Sequence, residues 1–453
     1  MILMRPEKYV DLHMPELVSD LQMLIRQPSI SAKNEGIEKC ASLVKKILTS
    51  SGIKSEILRM GKNTAPIVYG EVKSRSNPSK TLLFYNHYDV QPAEPFDLWD
   101  HPPFAATIVE NKIFGRGATD DKGELITRIK AVSAYLKTTG DVPCNVKFVI
   151  EGEEETGSAH MKDYLKKYRK KFSCDAVIRE FGYVDPKNRP IIGLGMKGLL
   201  FVELLASESV RDAHSSLAVL IKNPAWRLVA ALNTLVGTDG RILIKDWYKE
   251  VQPFSKNDLE IISVEPFDEK AFKKEFGIKS FVGGKHGINA KKALVGGATC
   301  NIAGIVSGYT GDGAKTVLPG RALAKIDFRL VPKMDPERQI RRLRSHLKSK
   351  GFGDVSVRVL HGLAAARTPI SDPFVSDVKD AADRTFGKSI ISVSNAGTGP
   401  MHPFADVLGA PCISVGSTYI FSRMHSPNEF ARIDLMKETT KCVCGIMENF
   451  GRR

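Results

Sequence analysis

The chain has 453 residues, 42% of them apolar and 26% charged, which is ordinary globular usage with room for two or three domains and full cores. A staple-dependent miniature fold, a disordered chain and a fibrous protein are excluded. Lys and Arg number 66 against 51 Asp and Glu, a formal charge of +15 that bears on solubility and anion attraction but not on fold.

Seven cysteines at positions 40, 144, 174, 300, 412, 442 and 444 form no Cys-x-x-Cys pair, so a reducing compartment fits best. The opening segment contains Arg5, Glu7 and Lys8 and lacks the apolar stretch of a signal peptide. No run approaches the roughly 20 apolar residues that span a bilayer. The expectation is a cytoplasmic protein with no membrane partner.

Short apolar runs alternate with helical patterns in the first half, as in an α/β sheet of buried, mainly parallel strands. Three runs stand out: Thr81-Leu-Leu-Phe-Tyr-Asn-His87, Asn145-Val-Lys-Phe-Val-Ile-Glu151 and Asp175-Ala-Val-Ile-Arg-Glu180. Each ends on an ionisable residue, at the strand end where open α/β sheets bind ligands. Between the first two, Leu125, Ile129, Val132 and Leu136 fall at helical spacing and Gly140 follows as a stop, which predicts a crossover helix.

After Gly198 the style changes. A strand is predicted over 198–206, and Asn223-Pro224 opens a helix to about Val236. Ala322, Ala324, Ile326, Phe328 and Leu330 alternate as a half-buried strand. Asp335-Pro336 opens a helix carrying Ile340, Leu343 and Leu347, and Val355, Val357 and Val359 form another alternating strand. This reads as an inserted α+β domain, residues 191–365, within a discontinuous domain of residues 1–190 and 366–453, where the buried style returns at Pro411-Cys-Ile-Ser-Val-Gly416.

Several signals carry little. Lys166-Lys-Tyr-Arg-Lys-Lys171 lies over an apolar stripe and reads as a solvated helix face. Lys315 follows Ala314 without the strand, loop and helix order of a phosphate-binding loop. Cys442 and Cys444 read as small buried thiols, and residues 283–287, with His286, as a loop. No nucleic-acid partner is expected.

The chemistry gathers elsewhere. His87 closes the first strand with Asp89 two residues on, and a metal-ligating imidazole wants such a carboxylate to fix its tautomer. Gly115-Arg-Gly-Ala-Thr-Asp120-Asp121-Lys-Gly123 sets paired carboxylates in a glycine-rich turn. Glu151-Gly-Glu-Glu154-Glu155 packs four carboxylates into five residues, a self-repelling cluster that cations would neutralise. Glu180 and His425, the latter in Arg423-Met-His-Ser-Pro-Asn428, complete a set able to hold two divalent ions. Two M²⁺ ions, the carboxylates of Asp120, Glu155 and Glu180 and one hydroxide sum to neutrality. Mixed imidazole and carboxylate donors suit zinc, with cobalt or manganese as substitutes. Such a pair primes water and polarises a carbonyl, the chemistry of amide hydrolysis.

These motifs, in this order from His87 to His425, resemble the M20-type dinuclear metallopeptidases, the aminoacylase and carboxypeptidase G2 family, and most closely its carnosine dipeptidase-like branch. The resemblance implies a zinc-exopeptidase-like catalytic domain with an inserted lid and dimerisation domain. It implies that His87 and Glu180 hold one ion, that Glu155 and His425 hold the other, that Asp120 bridges them, and that a cis peptide follows Asp120. Glu154 resembles the general base. His214, in Asp212-Ala-His214-Ser215, resembles the histidine that enters the partner subunit's site in a homodimer to stabilise the oxyanion. Thr316, Arg329, His361, Gly397 and Thr398 match substrate contacts, Arg329 the one that recognises a carboxylate. Two departures stand out: Glu180 lies where close members often have Asp, and Ser394 replaces an Arg in the substrate loop. The activity implied is that of a dipeptidase or carboxypeptidase-type exopeptidase. The alternative is an N-acyl amino acid deacylase or desuccinylase.

Overall fold

Leu82, Leu83, Phe84 and Tyr85 are inaccessible to solvent, as an apolar run must be when a strand is covered on both faces. In the computed structural model, which describes residues 4–61 and 64–453, they lie in the strand Thr81–His87. The first three residues of the N-terminal segment read above fall outside the described residues. The chain divides into two compact units: residues 1–195, 368–393 and 399–453, and residues 196–367 with 394–398. Segment 394–398, placed by the sequence with the flanking catalytic part, thus groups with the second unit. Asn395 bridges Met196 there, and Lys197 N donates to Gly397 O at 3.1 Å.

The first unit is built on an eight-stranded sheet. Its spatial order is Lys54–Leu58, Ile67–Val72, Asn145–Glu151, Thr81–His87, Ala176–Arg179, Cys412–Ser414, Ile191–Gly193 and Ile390–Ser392. The centre is parallel: Thr81–His87 pairs in parallel with Asn145–Glu151 on one side and Ala176–Arg179 on the other. The outer pairs Lys54–Leu58 with Ile67–Val72, and Ile67–Val72 with Asn145–Glu151, are antiparallel. Because the parallel register sets His87 opposite Glu151, the acidic loop and the first histidine emerge on one sheet edge.

The crossover helix forms as Lys122–Thr138, and Gly140 follows in the left-handed region at φ 69°. It is not amphipathic: Lys122 to Tyr135 is buried almost throughout, Glu124 and Arg128 included. Both are held by hydrogen bonds. Arg128 donates to Tyr85 O at 2.8 Å and Arg179 O at 2.7 Å, and Glu124 accepts from Ser417 N and Thr418 Oγ1 at 2.5 and 3.0 Å. The helix Ile433–Gly451 packs on it with Cys442 and Cys444 buried and free. All seven cysteines are free.

The second unit has an antiparallel sheet in the order Thr299–Ser307, Arg321–Leu330, Gly198–Ser207 and Ser356–Leu363. Leu200, Val202, Leu204, Ala324, Ile326 and Phe328 form its core with Leu228 and Ala231 of Pro224–Leu232 and Ile340, Leu343 and Leu347 of Pro336–Ser349. Asn223 and Asp335 cap these helices through Ala225 N and Arg338 N, each at 2.8 Å, a stabilisation of about 1 kcal/mol each. The first helix stops at Leu232, four residues before the sequence suggested, because Val236 turns to bridge Ile242. The basic run is interrupted at Tyr168 between Met161–Lys167 and Arg169–Phe172.

Candidate metal centre

His87, Glu155 and Glu180 lie at or just past the carboxyl ends of the central strands, whereas Asp120 and His425 come from loops, and buried acids pin two of these segments. Asp121 Oδ2 accepts from Asn86 Nδ2 at 2.6 Å and from His87 N at 3.1 Å, tying the strand end to the 115–123 turn. A Cβ at Gly123 would meet Ala118 O at 2.3 Å, so this turn requires glycine there. The Asp120–Asp121 peptide is cis, as the resemblance implied. Asp89 accepts from Glu154 N at 3.2 Å and Glu155 N at 3.0 Å, and so holds the acidic loop against the end of the first strand.

Asp120 is the meeting point. Its Oδ1 lies 3.0 Å from His87 Nε2 and its Oδ2 lies 2.9 Å from His425 Nε2. Glu155 Oε2 is 3.2 Å from the same His425 nitrogen, and Gln91 Nε2 donates to that carboxylate oxygen at 2.9 Å. Ligand atoms of His87, Asp120 and Glu155 all lie within 4.8 Å of one another. Four residues distant in the chain therefore converge. Glu180, fully buried, stands at the end of the neighbouring parallel strand; its Oε1 accepts from Arg179 Nη1 at 3.3 Å, while Oε2 has no hydrogen-bond partner.

Hydrogen bonding fixes the tautomer of His87. Nδ1 lies 3.1 Å from Asp89 O, which can only accept, so Nδ1 carries a proton and Nε2 faces Asp120. The Asp89 carboxylate is farther off at 3.4 Å. The orienting acceptor is thus the Asp89 main chain, and its side chain orders the acidic loop.

The donor set is electrostatically poised. Burial raises the Asp120 carboxyl, but hydrogen bonds from His425 and His87 outweigh it and hold Asp120 at about 2. His425 is pushed up to about 10 by its bonds to Asp120 and Glu155. Burial opposes the His87 imidazolium, yet Asp120 and Asp89 raise it well above the ordinary value. Burial also raises Glu154 and Glu155, each reinforced by the neighbouring acids. Two imidazole nitrogens aimed at clustered carboxylates, beside the orphaned Glu180 Oε2, make a donor set that fits divalent cations.

The second unit holds the remaining sequence-derived residues, two groups and the separate His361. His214 pairs with Val317 beside Thr316, whose carbonyl accepts from Ser215 N at 3.3 Å. Ser216 N donates to His214 Nδ1 at 3.2 Å, which leaves the Nε2 proton of this exposed ring as the free donor. Arg329 Nη1 donates to Thr398 Oγ1 at 2.6 Å, next to Gly397. His361 lies on Ser356–Leu363, its pKa lowered by burial. A cavity of about 670 Å³ walled by Phe267, Phe272 and Phe281 contains none of these residues.

Residues 83–449 match the peptidase family M20/M25/M40. The chain belongs to that family. It is a metallopeptidase, and 27% of its residues are identical to rat Beta-Ala-His dipeptidase over 93% of this chain and 90% of that protein. Cys-Gly metallodipeptidase dug1 of Schizosaccharomyces pombe is 30% identical over 86% of each chain. Among solved structures, the M20 metallo-carboxypeptidase Sso-CP2 from Sulfolobus solfataricus superposes with a TM-score of 0.91 at 36% identity, covering 97% of this chain and 100% of the other. Human carnosine dipeptidase 1 gives 0.82 at 26% identity over 99% and 98%.

Three buried charged residues, two in the first unit and one in the second, escaped the sequence reading. Glu429, directly after the quoted His425 motif, is buried and receives Arg116 and three backbone N–H groups of the Asp120 turn. Lys122 is buried and donates to Leu24 O and Gln27 O at 2.8 and 2.9 Å. Lys197 is buried near Arg329, brought down to about 8 by burial and by that guanidinium. Lys197, between Met196 and Gly198, is the one with a local signal, a charge in an apolar stretch; Glu429 and Lys122 stand beside polar or charged neighbours and carry none.

Proposed function

We propose that this M20 metallopeptidase is an exopeptidase for dipeptides or short peptides with a free carboxylate, working with two zinc ions. The observation that carries the reading is Asp120, which offers one oxygen toward His87 and the other toward His425. In this reading His87 and Glu180 would hold one ion, Glu155 and His425 the second, and Asp120 would serve both. Bound there, the ion pair would supply the positive charge that polarises the scissile carbonyl and acidifies water.

The remaining work falls to side chains. Glu154, whose raised pKa suits it to carry a proton, accepts one from the attacking water and passes it to the leaving nitrogen. Asp89 holds the Glu154 backbone through its N–H. His214, with Nε2–H free to donate, stabilises the tetrahedral oxyanion from the partner subunit of a homodimer. Exposed Ile302, Ile305 and Val306, at 50, 54 and 54% on the edge strand Thr299–Ser307, support such a pairing. Arg329 recognises the substrate carboxylate with Thr398, and Thr316, His361 and Gly397 complete the contacts. Lys197 adds a second cation near Arg329, which supports anion recognition although Ser394 stands where an Arg is usual.

The free cysteines fit a cytoplasmic setting, and among the described residues no helix is long and apolar enough to cross a membrane. The test is one turnover assay of zinc-loaded protein on β-alanyl-histidine, cysteinyl-glycine, N-acetyl and N-succinyl amino acids. Dipeptide cleavage is expected. Turnover of acylated substrates alone would instead make it a deacylase or desuccinylase.

A further inference from the structure

Two metal-facing residues, Asp120 and His425, sit on irregular segments whose spacing no helix or strand fixes directly. Asp120 is in the turn that precedes Lys122–Thr138, and His425 has a left-handed backbone at φ 58° in the loop before Phe430–Arg432. Their side-chain atoms nonetheless stand 2.9 Å apart. Something must hold the two segments in register.

The fully buried Glu429, four residues after His425, belongs to the second segment and bonds the first. Its Oε1 accepts from Thr119 N at 3.1 Å and Asp120 N at 3.2 Å; its Oε2 accepts from Gly117 N at 3.1 Å and Arg116 Nη1 at 2.7 Å. Its carbonyl accepts from Gly115 N at 2.9 Å. Arg116 reaches back to the histidine loop, with Nη1 3.4 Å from Ser426 O, and spans to Pro92 O through Nη2 at 3.2 Å. Both side chains are almost wholly inaccessible, at 0 and 2%.

A buried ion pair of this kind adds little to stability compared with a well-packed apolar pair, because desolvation offsets its attraction. What it does provide is direction, since four donors converge on two oxygens in a fixed geometry. We infer that Glu429, braced by Arg116, is a positioning residue that sets the Asp120 carboxylate against His425 and thereby tunes metal affinity. The inference rests on the dinuclear reading of the site. Residues that orient metal ligands in this way typically contribute about 10- to 100-fold in affinity.

The test uses full-length, metal-free protein titrated with Zn²⁺ alone against a competing chelator, comparing wild type with Glu429→Gln. The variant keeps one acceptor oxygen but places an amide N–H₂ against N–H donors. Expected is a zinc affinity lowered by about 10- to 100-fold and a shifted visible spectrum of the cobalt-loaded protein, together with a lowered metal-free melting temperature, because Arg116 is left buried without its counter-charge. Unchanged zinc affinity and cobalt spectrum would overturn the inference whatever happens to the melting temperature. If Glu429→Gln does not fold, Glu429→Asp, which retains charge on a shorter arm, is read the same way. Wild type that takes up no zinc would contradict the metal centre itself rather than the clamp.

Discussion

Asp120 and His425, 305 positions apart in the chain, meet at 2.9 Å between Oδ2 and Nε2, while the other Asp120 oxygen meets His87 at 3.0 Å. One carboxylate shared by two imidazoles is the arrangement that a pair of cations demands and that a simple salt bridge does not. Replacing Asp120 by Asn keeps the shape and removes the shared charge. Asp120→Asn is expected to lower zinc uptake from two ions per chain to one or none and to abolish turnover, checked by metal analysis of the purified variant.

Glu154 predicts the converse separation. Its backbone is held by Asp89 and its side chain has no place among the proposed ligands, so Glu154→Gln should bind zinc as wild type does. Turnover should fall by about 10²–10⁴-fold, the usual worth of a general base. Equal loss of metal and activity would make Glu154 a ligand rather than the base.

The protonation pattern gives a pH dependence with a definite sign. His425 rises from an ordinary value of 6.5 to about 10 in the metal-free fold. Its pairing with Asp120 and Glu155 therefore stabilises the metal-free protein fully below the unfolded value and is lost as pH climbs toward about 10. His87 is displaced in the same direction. Zinc must expel these protons, so its binding should release protons and raise the melting temperature more at about pH 8.5 than at about pH 6. Calorimetry in buffers of different ionisation enthalpy checks the release; zinc stabilisation independent of pH would contradict it.

The trans role of His214 is open to complementation. His214→Ala and Glu154→Gln homodimers should each be nearly inactive. Mixed and allowed to exchange subunits, they should regain activity, because a hetero-dimer holds one site with both an intact Glu154 and a donated His214. No recovery despite demonstrated exchange would remove the role in trans.

Arg329 and Lys197 are expected to act on substrate binding. Arg329→Met removes the group proposed for the carboxylate and should raise KM by about 10- to 100-fold, the worth of one charge-assisted hydrogen bond of about 1.5–3 kcal/mol. Lys197→Met should raise KM less. Initial-rate measurements on a dipeptide and its C-terminal amide check this, since both variants should discriminate less against the amide.

Much of this site was legible because chemistry in an open α/β sheet collects where strands end. The runs closing on His87, Glu151 and Glu180 marked that edge, and the dense acids of 151–155 marked the electrostatic need for cations. The strands of the second unit were equally plain, since alternation from Ala322 to Leu330 matches the burial seen. What the sequence hid depends on long-range hydrogen bonding. Glu429 looks like one more acidic residue until the fold carries Arg116 and the Gly117 to Asp120 backbone onto it. Helix Lys122–Thr138 was legible from Leu125, Ile129, Val132 and Leu136, but not the burial of Glu124 and Arg128, which the fold permits by giving each hydrogen-bond partners. The place of segment 394–398 was likewise set by pairing with residues near 196, which no local pattern announces.

The most direct measurement is anomalous diffraction from zinc-loaded crystals collected at the zinc edge. Two peaks about 3.5–4 Å apart are expected on either side of the Asp120 carboxylate, one within reach of His87 and Glu180 and the other within reach of Glu155 and His425. A single peak, or peaks that leave Asp120 uncoordinated, would contradict the dinuclear site.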